Sequence, residues 1–193
     1  MTETVLDADF WNKRYLDGTT GWDLGQASPA IVDYFKAFQN KEIQILIPGC
    51  GNAYEAEALL ELGYINITLI DLSEELVLRL QERLKDTGVK VIRGDFFDHQ
   101  VSYDCIVEQT FFCALDPKLR MQYVNKMHEL LNENGKIVGL MFNVDFEGGP
   151  PFGGNKSEYE ELFSKKFATH IKECSTSVQP RMGSELWVEF KKI

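Results

Sequence analysis

Three small residues, Gly49, Cys50 and Gly51, follow directly on the apolar run IQILI, and a lone acid, Asp71, closes the next apolar run, INITLID. A strand that runs into a glycine turn and then a helix presents backbone N–H groups and a helix N-terminus at the carboxyl edge of a sheet. A carboxylate at the end of the neighbouring strand can accept hydrogen bonds from both hydroxyls of a ribose held over that turn. The pair suits a nucleoside-like cofactor, whereas the glycine turn alone reads equally well as tight strand–helix packing. A third strand ends in GDFFD, where Asp95 can accept from an adenine amino group. Phe96 or Phe97 can stack on the ring there, the other packing into the core.

The turn also discriminates between cofactors. The dinucleotide fingerprint needs its last glycine where Tyr54 stands, and a tyrosine is too large for that close helix–strand contact. Positions 49, 51 and 53 are Gly, Gly and Ala, nearer to the Gly-x-Gly-x-Gly turn of S-adenosylmethionine enzymes, which faces an amino-acid tail. An NAD-dependent oxidoreductase is therefore the weaker alternative, and a non-catalytic S-adenosylmethionine-binding module is a second. Cys50 has no basic neighbour to depress its pKa and reads as a small residue, not a nucleophile. His99, His128 and His170 are far apart, and Cys50, Cys105, Cys113 and Cys174 form no Cys-x-x-Cys pair. No metal is expected, and no residue is singled out as catalytic.

The elements that must carry these residues follow from hydrophobic periodicity. Asp9 to Leu16 reads as a short helix, DGTTGWDLGQASP as a loop, and Ser28-Pro29 as the cap and first residue of a helix to about Ala37. After strand IQILI, Ala56, Leu59, Leu60 and Gly63 fall on one helix face closed by a glycine. Ser73 caps a helix with Glu74 and Glu75 in its first turn and an apolar stripe of Leu76, Leu80 and Leu84. VKVIR, YDCIVEQ and KIVGLMF read as strands three to five, with a helix from Asp116-Pro117 through Leu131 before the fifth. Alternation of this kind gives a parallel, doubly wound α/β sheet covered on both faces. A Gly/Pro-rich stretch (143–156) and a helix around Glu158 to Phe163 come next. FATHIKECS and ELWVEF then have no room for a helix between them and must pair antiparallel.

The 193 residues suit one domain: a cap (1–40), a cofactor-binding core (41–142), then a lid loop and terminal hairpin (143–193). A net charge of −10 argues against nucleic acid and anionic membranes, which need a basic patch. The opening MTETVLDADF is acidic and has no basic n-region, so no secretory leader is expected, and no apolar run reaches the roughly 20 residues of a membrane span. Scattered cysteines suit a reducing cytoplasm. The expectation is a cytoplasmic monomer acting on a small molecule.

The whole pattern resembles the class I, Rossmann-like S-adenosylmethionine-dependent methyltransferases, and more narrowly the thiopurine S-methyltransferase family with its plant halide and thiol methyltransferases. FWNKRYLDGTTGWDLGQASP, LIPGCGNAYE, IDLS, GDFFD, EQTFFCALDP and GGPPF carry the resemblance, which spans nearly the whole chain and implies a mostly parallel seven-stranded sheet. It implies that Trp11, Tyr15 and Trp22 fold over the cofactor, that Gly49 and Gly51 lie under its amino-acid tail, and that Asp71 with Leu72 holds the ribose. Asp95 and Phe96 would contact adenine, and Glu108 and Gln109 would line the site. The mammalian thiopurine enzymes have an arginine where Gln109 stands and a bulkier residue where Gly49 stands, which points to the bacterial and plant side of the family.

Methyl transfer from a sulfonium is an in-line displacement in which the protein supplies alignment and desolvation. No general base is evident, so the expected acceptor is a small soft nucleophile, a thiol or halide, which needs little help to lose a proton. The expected acceptor pocket is Trp22, Phe111, Phe112, Pro150, Pro151 and Phe152, with Arg181 as the cation that attracts an anion and aromatic faces stabilising the sulfonium.

Overall fold

Residues 5–193 are described by a computed structural model, in which the predicted alternation closes into a seven-stranded sheet. The first four residues of the expected cap lie outside the described residues. The strands are β1 (Ile45–Pro48), β2 (Ile67–Asp71), β3 (Lys90–Arg93), β4 (Tyr103–Gln109), β5 (Leu131–Phe142), β6 (Phe167–Glu173) and β7 (Glu185–Lys192). The helices are α1 (Ala8–Leu16), α2 (Pro29–Lys36), α3 (Tyr54–Glu61), α4 (Glu74–Arg83), α5 (Arg120–Leu130) and α6 (Lys156–Phe163). Strand order is β3-β2-β1-β4-β5-β7-β6; the first five strands are parallel, and β7 runs antiparallel between β5 and β6. The expected terminal hairpin is present, with its second strand inserted into the sheet.

Period-two alternation sorts the core into two layers. Ile45 and Ile47 face a layer closed by Ile31 and Phe35 of α2, Leu59 of α3 and Leu76 of α4. Leu46 and Ile106 face the other, closed by Tyr123 and Met127 of α5 and by Tyr159 and Phe163 of α6. The chain goes from β1 outward to β2 and β3, then returns to place β4 on the other side of β1. That reversal opens a crevice at the carboxyl ends of β1 and β4, the place where ligands bind in open α/β sheets.

Two local expectations need correction. Ser28 precedes α2, but its hydroxyl makes no capping bond and is buried without a partner; its backbone N–H donates to Glu55 Oε1 at 2.9 Å. Pro29 at the first turn suffices to start the helix, because its missing N–H needs no acceptor. The helix expected from Asp116-Pro117 through Leu131 begins as a 3₁₀ turn, Pro117–Leu119, and α5 ends at Leu130, with Leu131 already in β5. No helix among the described residues is long and apolar enough to cross a membrane.

Candidate active site

A cavity of about 1370 Å³ lies over the crevice. This exceeds the roughly 300–1,000 Å³ of a pocket for one drug-sized ligand, so it has room for a cofactor and a second molecule. Its floor is Gly49, Asp71, Leu72, Gly94, Asp95, Phe96 and Phe111; its roof is the N-terminal segment with Trp11, Tyr15 and Trp22; its far wall includes Phe142, Pro150, Pro151 and Arg181.

The floor is shaped by backbone that only small residues tolerate. Gly49 and Gly51 have φ of 55° and 51°, and Ala53, also left-handed, leads into α3. A Cβ at position 49 would overlap the Phe111 ring, so glycine here lets the chain pass under that ring. Asp71 accepts the Ser73 N–H at 2.9 Å, and the Ser73 hydroxyl in turn caps α4 through Leu76 N–H at 3.2 Å. Burial pushes the Asp71 carboxyl up to about 6, against the backbone donors of Ser73, Gly51 and Leu72 that favour its charged form. Asp95 accepts from Phe97 N–H at 2.8 Å, which turns the GDFFD segment so that both phenylalanines border the cavity. Phe96 is a core residue, edge-on to Phe111 at 5.2 Å, whereas Phe97 is only partly buried and offers the more accessible ring face.

Long-range polar bonds hold the roof down. Asn12 Oδ1 accepts from Ser73 Oγ at 3.0 Å and from Glu75 N–H at 2.8 Å, docking α1 on the start of α4. Asn52 donates to Asp23, and Arg181 Nη2 donates to the Trp22 carbonyl at 2.7 Å. Trp22 meets Trp11 and Tyr15 edge-on, at 5.5 and 5.7 Å between centroids. Burial and the nearby Asp71 carboxylate keep the Tyr15 hydroxyl protonated. The loop expected as a lid is pinned at its base by a bridge between Val144 and Gly154, by Phe152 N–H donating to the Cys113 carbonyl at 2.6 Å, and by Arg120 on the Gly153 carbonyl, also at 2.6 Å.

The sequence-predicted residues therefore divide. Trp11, Tyr15, Trp22, Gly49, Asp71, Leu72, Asp95, Phe96, Phe111, Pro151 and Arg181 converge on the cavity. Gly51, Glu108, Gln109, Phe112 and Phe152 do not line it. Glu108 points into the protein, accepting Phe111 N–H at 2.8 Å, Phe112 N–H at 3.0 Å and the Tyr123 hydroxyl. Phe112 is core, packed on Tyr123 and Tyr159. Arg181, expected as the cation that attracts an anionic acceptor, is buried and faces Glu185 at 3.4 Å. Of the two phenylalanines offered for stacking, Phe97 is the more accessible; Asn12 and Arg14 belong to the roof without having been singled out, and only the expected helix from Asp9 to Leu16 hinted at them.

A left-handed glycine turn under an aromatic ring, a partly protonatable acid at the next strand end and a closed aromatic roof fit an adenosine bearing an amino-acid tail. The model of one family matches residues 6–189: thiopurine S-methyltransferase. The chain belongs to that family. It is an S-adenosylmethionine-dependent methyltransferase, and S-adenosylmethionine is its methyl donor. Thiocyanate methyltransferase 1 of Brassica oleracea is 31% identical over 202 aligned residues, covering 100% of this chain and 88% of that one. Probable thiol methyltransferase 2 of Arabidopsis thaliana is 31% identical, with 94% and 84% covered. The solved 1,6-didemethyltoxoflavin-N1-methyltransferase of Burkholderia thailandensis, with bound S-adenosylhomocysteine, shares the fold at a TM-score of 0.74 and 19% identity, covering 96% of this chain and 86% of that one. These matches give the oxidoreductase and binding-module alternatives no support.

Proposed function

We propose that this methyltransferase acts on the sulfur of a small thiol or a thiocyanate-like soft nucleophile. The observation that carries the reading is the employment of the cavity's acids. Among the described residues four carboxylates border it, and each already accepts a backbone N–H of its own turn: Asp7 from Phe10 (2.9 Å), Asp71 from Ser73 (2.9 Å), Asp95 from Phe97 (2.8 Å) and Asp116 from Lys118 (2.8 Å). Among the described residues no histidine lines the cavity, and burial holds the Cys113 thiol and the Tyr15 hydroxyl in their protonated forms. An alcohol or amine acceptor calls for a positioned base, whereas a thiol, with a pKa of about 8.5, is already a few per cent thiolate at neutral pH and that thiolate is strongly nucleophilic. The names of the plant relatives, one a thiocyanate and one a probable thiol methyltransferase, agree with this.

In this reading Gly49 receives the amino-acid tail with Gly51 shaping the turn behind it, Asp71 accepts from the ribose hydroxyls, and Asp95 with Phe97 and Phe96 holds adenine. Trp11, Tyr15 and Trp22 close over the cofactor and exclude water. When bound, S-adenosylmethionine supplies an electrophilic methyl carbon, taken in line by the acceptor's sulfur while the electron pair of the old C–S bond stays on the donor. Trp22 and Phe111 present aromatic faces to that cationic centre, and Pro151 with Phe142 strips water from the acceptor. The thiol proton leaves to solvent before attack. A methyl-transfer screen over thiols, thiocyanate, halides, phenols and amines tests the proposal, with Trp22→Ala run beside the wild type. Turnover confined to oxygen or nitrogen acceptors defeats it.

A further inference from the structure

The chain has six arginines, and five have a carboxylate partner: Arg79 with Glu75 (3.5 Å), Arg83 with Glu57 (3.0 Å), Arg93 with Glu74 (2.8 Å), Arg120 with Glu158, and Arg181 with Glu185 (3.4 Å). Arg14 is the exception. Among the described residues no carboxylate pairs with it, and its Nε is buried with no acceptor. Acids are not scarce, since the chain has 30 of them. The neighbouring ones are otherwise engaged: Asp7 caps α1, and Asp17 pairs with Lys13 at 4.0 Å. Arg14 nevertheless faces the cavity, its guanidinium 5.8 Å from the Trp22 ring and 5.5 Å from the Phe10 ring.

We propose that Arg14 is a specificity residue that recognises an anionic group on the acceptor, so that the preferred substrate is a thiol carrying a carboxylate. This rests on the thiol reading above. A guanidinium laid against aromatic rings keeps its stem and face desolvated; with Nε buried, the two terminal nitrogens, which no group among the described residues engages, form the planar fork that matches a carboxylate in two parallel hydrogen bonds. Two other cations line the cavity, Lys118 and Arg181. Arg181 is neutralised by Glu185 and spends Nη2 on the Trp22 carbonyl. The rings of Phe10 and Trp22 flank the guanidinium, and the N-terminal part of the cavity lining also includes Leu6, Trp11 and Leu24. An unpaired, partly desolvated cation in such surroundings gains more from an incoming carboxylate than an exposed one does. Tyr15, next along α1, places its hydroxyl over Gly51, near where a Cβ would lie 3.9 Å away, so the helix presents different residues to the glycine turn and to the Trp22 side.

The test compares 3-mercaptopropionate with 2-mercaptoethanol as acceptors for the wild type, Arg14→Gln and Arg14→Lys. Arg14→Gln should lower kcat/KM for 3-mercaptopropionate by at least about tenfold, the lower end of what a hydrogen bond to a charged group contributes. The value for 2-mercaptoethanol should fall far less, so that the ratio between the two thiols changes, and Arg14→Lys should restore part of that ratio. In parallel, tryptophan fluorescence of the S-adenosylhomocysteine-saturated protein is titrated with 3-mercaptopropionate; a saturable change in the wild type should vanish in Arg14→Gln. Equal losses for the two thiols overturn the proposal, as does the absence of saturable binding in the wild type. Weaker S-adenosylhomocysteine binding by Arg14→Gln also overturns it, because Arg14 then holds the cofactor's own carboxylate. If no thiol is methylated but the titration behaves as expected, the thiol reading falls while the anion site at Arg14 stands.

Discussion

Arg181 Nη2 reaches the backbone carbonyl of Trp22 at 2.7 Å, joining the turn before β7 to the cap loop 159 residues earlier in the chain. Glu185, itself buried, sits 3.4 Å from the same guanidinium. The cap is thus latched to the sheet by a charge that is itself neutralised inside the protein.

Removing that charge alone is expected to be costly. Arg181→Ala leaves Glu185 buried and unpaired, a loss on the order of 3–5 kcal/mol. The double variant Arg181→Leu with Glu185→Leu should recover most of that stability, since no charge is stranded. It should still show faster amide exchange than wild type over residues 19–25, because the Trp22 carbonyl has lost its donor. Unfolding in urea and hydrogen exchange separate the two effects; wild-type exchange rates in the double variant would mean that the Asp23 and Ser28 contacts hold the loop unaided.

Gly49 and Gly51 share a left-handed backbone but not a neighbour. Beside Gly49 lies the Phe111 ring, while the nearest atom to a Cβ at Gly51 is the Tyr15 hydroxyl at 3.9 Å. Gly51→Ala should therefore cost about 1–2 kcal/mol, the strain of a left-handed alanine. Gly49→Ala adds a steric overlap with Phe111 and should cost distinctly more stability. It should also weaken S-adenosylhomocysteine binding measured by calorimetry. Equal losses at the two positions would mean that Phe111 moves aside freely.

Asp71 holds both the turn and, in the proposed site, the ribose. Its carboxyl is pushed up to about 6 by burial, so it gains its charge across a range where most aspartates are already ionised. Cofactor affinity should rise as pH increases through about 6 and level off above it, because the ribose hydroxyls need the carboxylate as acceptor. The sign for stability is opposite: a folded pKa above the unfolded one means that the free protein loses stability as pH rises from about 4 to about 6. Asp71→Asn should flatten the binding profile and lower affinity by roughly 1.5–3 kcal/mol at neutral pH. A binding curve with no inflection between pH 5 and 7 would show that Asp71 titrates elsewhere.

How much of this the sequence disclosed depended on range. Gly49 and Asp71 were legible because strand–helix alternation dictates that they end adjacent strands at one sheet edge, whatever the rest of the chain does. The helix boundaries were legible to within a residue or two where caps are local, as at Ser73. Asn12 was not, because its two donors, Ser73 Oγ and Glu75 N–H, lie more than 60 residues away. Ser28 misled too: its hydroxyl makes no capping bond, and it is the backbone N–H that is engaged, by Glu55 of α3, 27 residues away. Glu108 misled differently. Placed at the end of β4 it looked like a site residue, yet strand parity puts it on the face of Ile106, toward Tyr123, and that signal was present in the alternation of YDCIVEQ.

That inward-facing Glu108 leads to the sharpest expectation. Its carboxylate gathers three donors, the N–H groups of Phe111 and Phe112 and the Tyr123 hydroxyl, and so fixes the turn that lays Phe111 on Gly49. Burial, only partly offset by those donors, pushes its pKa up to about 7. Because the folded pKa lies above the unfolded one, this contribution is fully present at pH 4 and is lost as pH rises from about 4.5 through about 7, on the order of 3 kcal/mol in all. Glu108→Gln keeps an acceptor for the two N–H groups and carries no titrating proton, so it should lack that slope. Urea unfolding of both proteins at pH 5, 6, 7 and 8 reads the difference directly: the wild type should lose stability relative to Glu108→Gln at each step up to about pH 7. Glu108→Ala removes the acceptor altogether, and there the freed Phe111 turn should lower kcat/KM well beyond the change seen in Glu108→Gln. Parallel stability curves for wild type and Glu108→Gln would place the Glu108 pKa back in the ordinary carboxylate range and leave its three hydrogen bonds as the whole of its role.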